Sequence, residues 1–194
     1  MAPMLVGGFL ALASASASAD DGWYAAFDYG NSNLGSVPAR ADSGAHGYHL
    51  TAGYAPDRYF ALEGGYLDFG KVDTGSDIYF GVISPGFSVT TKAHGFTFDL
   101  VGTLPLGDRF SLSARAGVIT ADVQVDWPAS SFSPTGGSRS KNSTRFGAGF
   151  GAAYKISDTW SAYCQWVQYD SIDGPIAGEG NFNLGSIGLK YSFH

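Results

Sequence analysis

Residues 93–126 read AHGFTFDLVGTLPLGDRFSLSARAGVITADVQVD, and this stretch decides the fold. Apolar or small residues occupy every second position on two arms that flank a Pro-Leu-Gly-Asp turn at 105–108. These positions are Phe96, Phe98, Leu100, Gly102 and Leu104 on the first arm, and Phe110, Leu112, Ala114, Ala116 and Val118 on the second. A period of two predicts β-strands, and a short turn between two such runs predicts a hairpin.

The opposite face of this hairpin carries Thr, Asp, Ser, Arg and Gly, which would suit a narrow polar interior. Each arm has about ten residues, which matches the ~9–11 residues that a tilted strand needs to cross a bilayer. An open sheet edge would leave unpaired N–H and C=O groups in hydrocarbon, so such a sheet must close. The hairpin therefore predicts a barrel with its apolar face outward, built from more hairpins of the same design.

The rest of the chain repeats the same alternation. It recurs at 23–29, 47–54, 59–68, 146–154, 160–166 and 187–193. Polar, Gly-rich stretches predict long loops at 30–45, 70–92, 127–142 and 170–181, and short turns are predicted at 55–57 and 157–158. An even strand number with alternating long and short connections is typical of outer-membrane barrels. The predicted fold is all-β: an eight-stranded antiparallel up-and-down transmembrane β-barrel.

Composition excludes several function classes. Hydrophobic residues make up 44% and charged residues 14% of the 194 residues, yet no continuous apolar run reaches the length of a membrane-spanning helix. The net charge of -6 argues against a nucleic-acid partner. One cysteine, Cys164, allows neither an internal disulfide nor a cysteine metal cluster, and no cofactor is predicted.

The N-terminus predicts export. Residues 4–12 form a short apolar core, and Ala17-Ser18-Ala19 offers a small-residue cleavage site, although no Lys or Arg precedes the core. We therefore expect a signal peptide at 1–19 and one barrel domain at 20–194.

Aromatic residues on the predicted lipid face collect at the two ends of the strands. The short-turn end would carry Trp23, Tyr54, Phe60, Phe110, Tyr154, Trp160 and Phe193, and the long-loop end Tyr29, Tyr48, Tyr66, Phe96, Phe146 and Trp166. Two aromatic girdles flanking an apolar band are what anchoring at two membrane interfaces requires, so outer-membrane lipids are the predicted partners.

Charged residues gather on the predicted inward face. Asp28, His49, Glu63, Asp99, Arg115 and Gln165 fall at mid-height, with Arg145 and Lys190 nearer the two ends. A buried charge must be paired, and Asp99, on the strand next to Arg115, is its predicted partner. A structural network, a gated conduit and a catalytic carboxylate pair all remain open at this point.

Other candidate sites are weaker. A lipid-cleaving barrel would need Ser and His adjacent on the lipid face, where serines are scarce, so no enzyme is predicted. His46 and His94 are expected outward near the rim, and Cys164 is expected to face lipid as a small apolar residue. The Gly-x-Gly-x-Gly run at 147–151 lies within one strand, and we interpret it as space for Tyr163 or Arg115.

The chain resembles the membrane domain of the OmpA-like family of eight-stranded outer-membrane β-barrels. The resemblance is clearest in GYAPDRYFALEGGYLDFGKV (53–72), the 93–124 hairpin, AAYKISDTWSAYCQW (152–166) and LGSIGLKYSFH (184–194). It implies a salt-bridged plug in which Glu63 is the acid and Arg115 a base. The family's further plug positions fall on Val101, Ala153 and Tyr163, so the wiring should differ.

The resemblance also implies partners and a role. It implies a monomer in the outer membrane of a Gram-negative bacterium, inserted by the barrel-assembly machinery, which would read the closing strand that ends Phe193-His194. We expect no counterpart of the peptidoglycan-binding domain that many relatives carry. The expected role is structural, in envelope integrity, with long loops for surface recognition. The alternatives are a narrow channel of the same fold and a soluble exported barrel like a lipocalin, whose interior would be apolar.

Overall fold

The computed structural model describes residues 22–34, 44–75, 88–127, 136–172 and 180–193. The predicted signal peptide and the middle of each predicted long loop lie outside these residues. Eight strands are present: β1 Gly22–Leu34, β2 Gly44–Ala55, β3 Phe60–Gly75, β4 Ser88–Pro105, β5 Phe110–Trp127, β6 Gly137–Lys155, β7 Trp160–Ile172 and β8 Gly180–Ser192.

The eight strands form one closed antiparallel barrel in sequence order. Each strand pairs with its chain neighbours, and β1 pairs with β8 from Tyr24↔Ser192 to Leu34↔Phe182, which closes the sheet. Closure gives the backbone groups along the wall a partner without water. The predicted fold class is confirmed. No helix in the described residues is long and apolar enough to cross a membrane.

The outward face is apolar, as the alternation predicts. Its large side chains are exposed, among them Phe96 (69%), Phe150 (63%) and Ile187 (72%). On β4 and β8, and on β6 from residue 143 to residue 155, the intervening residues are buried or half-buried. A surface of this kind is stable against hydrocarbon and unfavourable in water. The soluble lipocalin-like alternative is therefore wrong.

The strands are longer than predicted on one side of the barrel. β3, β4, β5 and β6 have 16, 18, 18 and 19 residues, whereas β1, β2, β7 and β8 have 12 or 13. The predicted loops at 70–92 and 127–142 were too wide, because their polar residues still pair through the backbone. About ten residues suffice to cross the membrane, so β3–β6 project well beyond it. Among the described strands, residues 137–146 of β6 pair with β5 alone.

The short turns are fixed by local hydrogen bonds. The carboxylate of Asp57 accepts hydrogen bonds from the backbone N–H groups of Tyr59 (2.7 Å) and Phe60 (2.9 Å). Ser157 Oγ accepts one from Trp160 N at 3.1 Å. Gly107 lies at φ 97°, a conformation that favours glycine. These turns set the register that decides which residues face inward.

Candidate functional site: the layered lumen

The strongest contact in the lumen joins β3 to β5. Arg115 Nη2 donates to Glu63 Oε2 at 2.5 Å, and both side chains are only 10% exposed. The second carboxylate oxygen of Glu63 accepts from the Tyr24 hydroxyl at 2.6 Å. Lys190 Nζ lies over the Tyr24 ring, 5.1 Å from its centroid. Glu63 is thus held by one cation and one neutral donor from opposite sides of the barrel.

The predicted pairing of Arg115 with Asp99 is present as an ion pair, but the hydrogen bond of Arg115 goes to Glu63. Asp99 Oδ2 lies 3.8 Å from Arg115 Nη1, beyond hydrogen-bond range, and neither atom has a hydrogen-bond partner among the described residues. In the β3–β4 register Asp99 stands directly opposite Glu63. Two like charges in such a pair repel each other, and Arg115 offsets this repulsion by facing both, with the shorter contact to Glu63.

A second polar group surrounds Asp28, which is 1% exposed. Its Oδ2 accepts hydrogen bonds from the Tyr163 hydroxyl (2.7 Å) and from Gln165 Nε2 (2.9 Å). His49 Nδ1 lies 3.6 Å from the same oxygen, and His49 Nε2 lies 3.0 Å from Thr97 Oγ1. This group links β1, β2, β4 and β7 in one layer. Tyr163, which the resemblance to the family places at a plug position, thus binds Asp28.

The two remaining predicted lumen cations lie at different heights. Lys190 is half-buried on the short-turn side, next to Tyr24. Arg145 is half-buried on the long-loop side, where its register partner is the fully buried Ile119. The structure therefore joins Asp28, His49, Glu63, Asp99, Arg115 and Gln165 in one layer, which we call the polar layer, and sets Arg145 apart from it.

Above the polar layer, toward the long loops, the lumen is apolar, which the sequence analysis did not predict. We call this cluster the apolar layer; it comprises Ala45, Leu67, Phe69, Ala93, Ile119, Ala121, Val123, Val167, Tyr169, Phe182 and Leu184, all 0–3% exposed. The Phe69 ring lies 5.3 Å from the Phe182 ring and 6.0 Å from the Tyr169 ring, edge to face. Rings from β3, β7 and β8 thus meet across the barrel.

Phe69 continues the inward series of Glu63 and Leu67, and a β-bulge follows it directly. The β3–β4 register shifts between Asp68 and Lys71, and Gly70 lies there at φ 81°. Gly70 N donates to Asp68 Oδ1 at 2.7 Å, and the buried hydroxyl of Ser32 donates to Phe69 O at 2.7 Å. An extra residue of this kind bends the strand and redirects a side chain. An added Cβ at Gly70 would collide with His46 O.

The glycine run on β6 makes room for residues other than those predicted. An added Cβ at Gly147 would collide with the Tyr169 ring, and one at Gly149 would lie 2.9 Å from Val167 Cγ2. At Gly151 it would lie 3.0 Å from Ser113 Oγ. The interpretation that the run accommodates Tyr163 or Arg115 was wrong. Glycines keep β6 out of the lumen so that the β7 side chains can fill it.

Below the polar layer the lumen opens. A cavity of about 180 Å³ extends from the short turns up to Glu63 and Arg115. Polar side chains that include Tyr24, Thr103, Ser113, Tyr163 and Lys190 line part of it, beside apolar ones, and it is large enough for water. The lumen therefore has three parts in height: a vestibule, the polar layer and the apolar layer.

The outward aromatics form ring pairs between neighbouring strands. Trp23 and Tyr54 lie 5.2 Å apart, and Phe110 and Tyr154 lie 4.9 Å apart. Tyr191, absent from the predicted girdle, packs between Trp160 (5.0 Å) and Phe193 (5.1 Å). At the other end Tyr66 packs against Phe96 and His94, and Tyr29 stacks on His46. Such aromatic pairs stabilise the folded protein by more than their buried area alone accounts for.

Outside the membrane-spanning part, β5 carries a small polar cluster on its projecting end. Gln124 Nε2 donates to Asp126 Oδ1 at 2.9 Å, and Lys92 Nζ lies 3.3 Å from Asp126 Oδ2. The Gln124 amide, followed by Ser138 and Lys92, holds the pKa of the Asp126 carboxyl below its usual value. Within the described strands, no group of three or more His, Cys, Asp or Glu side chains could hold a metal ion.

A closed eight-stranded barrel with an apolar outer face and a filled lumen defines a small transmembrane β-barrel protein. Residues 2–193 match the family model of the outer membrane protein beta-barrel domain, and the chain belongs to that family. The resemblance to OmpA-like barrels is confirmed, and the protein resides in the outer membrane of a Gram-negative bacterium. A comparison with curated proteins gives no match.

Several solved structures are similar to this chain. The attachment invasion locus protein Ail of Yersinia pestis aligns with a TM-score of 0.58 at 16% identity, over 89% of this chain and 99% of Ail. Neisserial surface protein A aligns with a TM-score of 0.58 at 13% identity, over 88% of this chain and 97% of that protein. The N-terminal barrel domain of Pseudomonas aeruginosa OprF aligns with a TM-score of 0.55 at 11% identity, over 89% of this chain and 98% of that domain. At these identities the likeness is one of fold.

Proposed function

We propose that this protein is a monomeric, non-conducting barrel with a structural role in the integrity of the outer membrane. The observation that carries this proposal is that the lumen is filled at two successive heights. The polar layer is tied by the Glu63–Arg115 contact, and the apolar layer is tied by the rings around Phe69. A barrel filled in this way adds a stable protein wall to the membrane without adding a path for ions.

The outer surface supports the structural role. Aromatic rings at both ends of the apolar band suit it to lipid anchoring at two interfaces. The ladder closes between β1 and β8, so it leaves no strand edge in the membrane for a second subunit. The alternating closing strand with its exposed Phe193 fits insertion by the barrel-assembly machinery.

Loss of the protein tests the role. Deleting its gene in the native host should increase the uptake of a dye that the intact outer membrane excludes, and the wild-type gene should restore the barrier. As a control, a variant with Tyr154→Ala and Trp160→Ala, which keeps the lumen but removes two interfacial rings, should restore it less well. An unchanged dye barrier in the deletion strain would overturn the structural role.

Surface recognition is a second candidate, favoured by the projecting strands. On β6, Arg139 and Lys141 are exposed and continue the inward-facing series of Arg145 toward the long loops, opposite Val125 and Val123 of β5. These are three of the 11 Lys and Arg residues in a chain of net charge -6. A basic row of this kind suits clustered phosphate or sulfate groups.

A binding measurement tests this second candidate. Arg139→Ser with Lys141→Ser should weaken retention of the protein on a sulfated polysaccharide resin. The matched control Ser138→Ala with Ser140→Ala changes the other face of the same strand segment and should not weaken it. Equal retention of both double variants would argue against recognition by this row.

A further inference from the structure

The outer face of the barrel carries an apolar groove of about 600 Å³ in the half nearer the short turns. Its floor consists of small side chains on β6 and β7: Ala152, Ala162 and Cys164. Larger residues form the two walls: Phe110 and Tyr154 on one side, and Phe27, Ile187 and Leu189 on the other. The groove thus opens sideways, toward the membrane.

The strand register explains the shape of the groove. One row across four strands reads Leu112, Ala152, Cys164, Ile187. Large residues flank two small ones in this row, so the surface is depressed in the middle. The next row toward the middle of the membrane contains Phe150 and Trp166, whose rings lie 5.5 Å apart and end the groove.

The lower end of the groove meets a positive charge at the level of the short turns. Arg109, an exposed residue of the turn before β5, donates from Nη1 to the Tyr154 hydroxyl at 3.2 Å. An arginine is charged at any physiological pH, and this hydrogen bond raises the pKa of the Arg109 guanidinium further above its usual value. A guanidinium at the membrane boundary is well suited to bind a phosphate group.

We propose that this groove binds one phospholipid of the periplasmic leaflet. A segment of one acyl chain would lie on Ala152, Ala162 and Cys164, and the phosphate would lie against Arg109. From Tyr154 to Phe150 the strand advances roughly 13 Å, so the groove holds part of an acyl chain. The apolar lining suits hydrocarbon, and the cation at its end suits an anionic headgroup. This inference goes beyond the proposed structural role and does not depend on it.

Native mass spectrometry of the purified barrel tests the proposal, with phosphatidylglycerol as the probe. Wild-type protein should retain one phosphatidylglycerol after detergent release. Ala152→Phe fills the floor of the groove and should reduce the retained fraction several-fold. Ala148→Phe is the matched control, because it lies on the same strand and face but beyond the Phe150–Trp166 pair. It should retain lipid as the wild type does.

Arg109→Gln separates the headgroup contact from the groove. It should lower retention of phosphatidylglycerol several-fold while the folded barrel keeps its heat-dependent gel mobility. Two results would overturn the proposal: equal loss of lipid in Ala148→Phe and Ala152→Phe, or no retained lipid in the wild type. A dimer that Ala152→Phe dissociates would show that a second copy of the chain, and not lipid, covers the groove.

Discussion

The polar layer and the apolar layer fill the same lumen by different physical means. In the polar layer a few directional contacts hold charges that would be costly if left alone, above all Glu63 with Arg115. In the apolar layer eleven buried residues share the contact, and no single pair dominates. A change in the first layer should therefore act through charge and depend on pH, whereas a change in the second should act through packing and be insensitive to pH.

The largest expected effect is in the apolar layer. Phe69→Ala removes the ring that meets both Phe182 and Tyr169 and should cost about 3–5 kcal/mol of unfolding free energy. The cost should be the same at pH 4 and pH 8, because no charge is involved. Reversible urea unfolding in lipid vesicles at both pH values measures it. A cost that changes with pH would show that the two layers are coupled.

Arg115→Ala should cost about 3 kcal/mol at pH 8, because it leaves Glu63 and Asp99 buried without a cation. This cost is at the lower end of the range for breaking a buried ion pair, because the vestibule below lets water reach Glu63 and Asp99. At pH 4 the carboxyl groups can take up protons, so the cost should shrink. The same unfolding measurement applies, and a larger cost at pH 4 than at pH 8 would contradict the charge argument.

Double-mutant cycles show which acid pairs with Arg115. The coupling of Arg115→Ala with Glu63→Gln should exceed its coupling with Asp99→Asn, because the contacts are 2.5 Å and 3.8 Å. Asp99→Asn should by itself be tolerated better than Glu63→Gln, since Glu63 accepts hydrogen bonds from Tyr24 and Arg115 whereas Asp99 Oδ2 accepts none from the described residues. A larger coupling energy for Arg115 with Asp99 than with Glu63 would show that Asp99 is the main partner of Arg115.

The lipid face offers a comparison outside the lumen. Ala114→Arg, near the middle of the membrane, should cost about 2–4 kcal/mol, and Phe110→Arg, at the short-turn end, about 0–1 kcal/mol from charge placement. Ser113→Arg faces the vestibule and serves as the inward control. Unfolding into vesicles measures all three. Equal costs for Ala114→Arg and Phe110→Arg would contradict the depth assigned to these residues.

The smallest effect concerns Asp126, beyond the membrane. Its pKa is lowered in the folded protein, so its stabilising contribution is present above the usual carboxyl pKa and is lost as pH falls through the lowered value. Gln124→Ala removes the main cause, and the pKa of Asp126 should rise toward its usual value. Carbon-13 NMR titration of the carboxyl measures this. Thr120→Ala, on the same face, should leave that pKa unchanged.

The sequence predicted the barrel because a period of two is a strong signal when it recurs eight times between turns. The same alternation assigned the inward acids correctly, since the register leaves each residue only two faces. For Arg115, the predicted partner Asp99 forms an ion pair at 3.8 Å, but the hydrogen bond goes to Glu63. Neighbouring strands suggested Asp99, but a long guanidinium reaches across the lumen to Glu63, and alternation says nothing about reach.

The apolar layer was missed although its signal is in the sequence. Ile119, Ala121, Val123 and Val125 continue the inward series of β5 beyond Arg115. They lie at the end of a strand next to a predicted loop, and the sequence analysis did not predict that their apolar side chains fill the lumen. Phe69 continues the inward series of Glu63 and Leu67 on β3, but it lies beyond residue 68, where the predicted strand ends. Tyr24, a donor to Glu63, lies on the inward face of β1 and was missed among its outward aromatics.

Single-channel recording in planar lipid bilayers tests the central claim that two independent layers close the lumen. Wild-type protein, Phe69→Ala and Arg115→Ala should each show no stepwise current, because at least one layer remains closed in each. The double variant Phe69→Ala with Arg115→Ala should show current steps. Stepwise conductance of the wild-type barrel would contradict closure of the lumen. If only one of the two single variants conducts, the layer changed in that variant closes the lumen by itself.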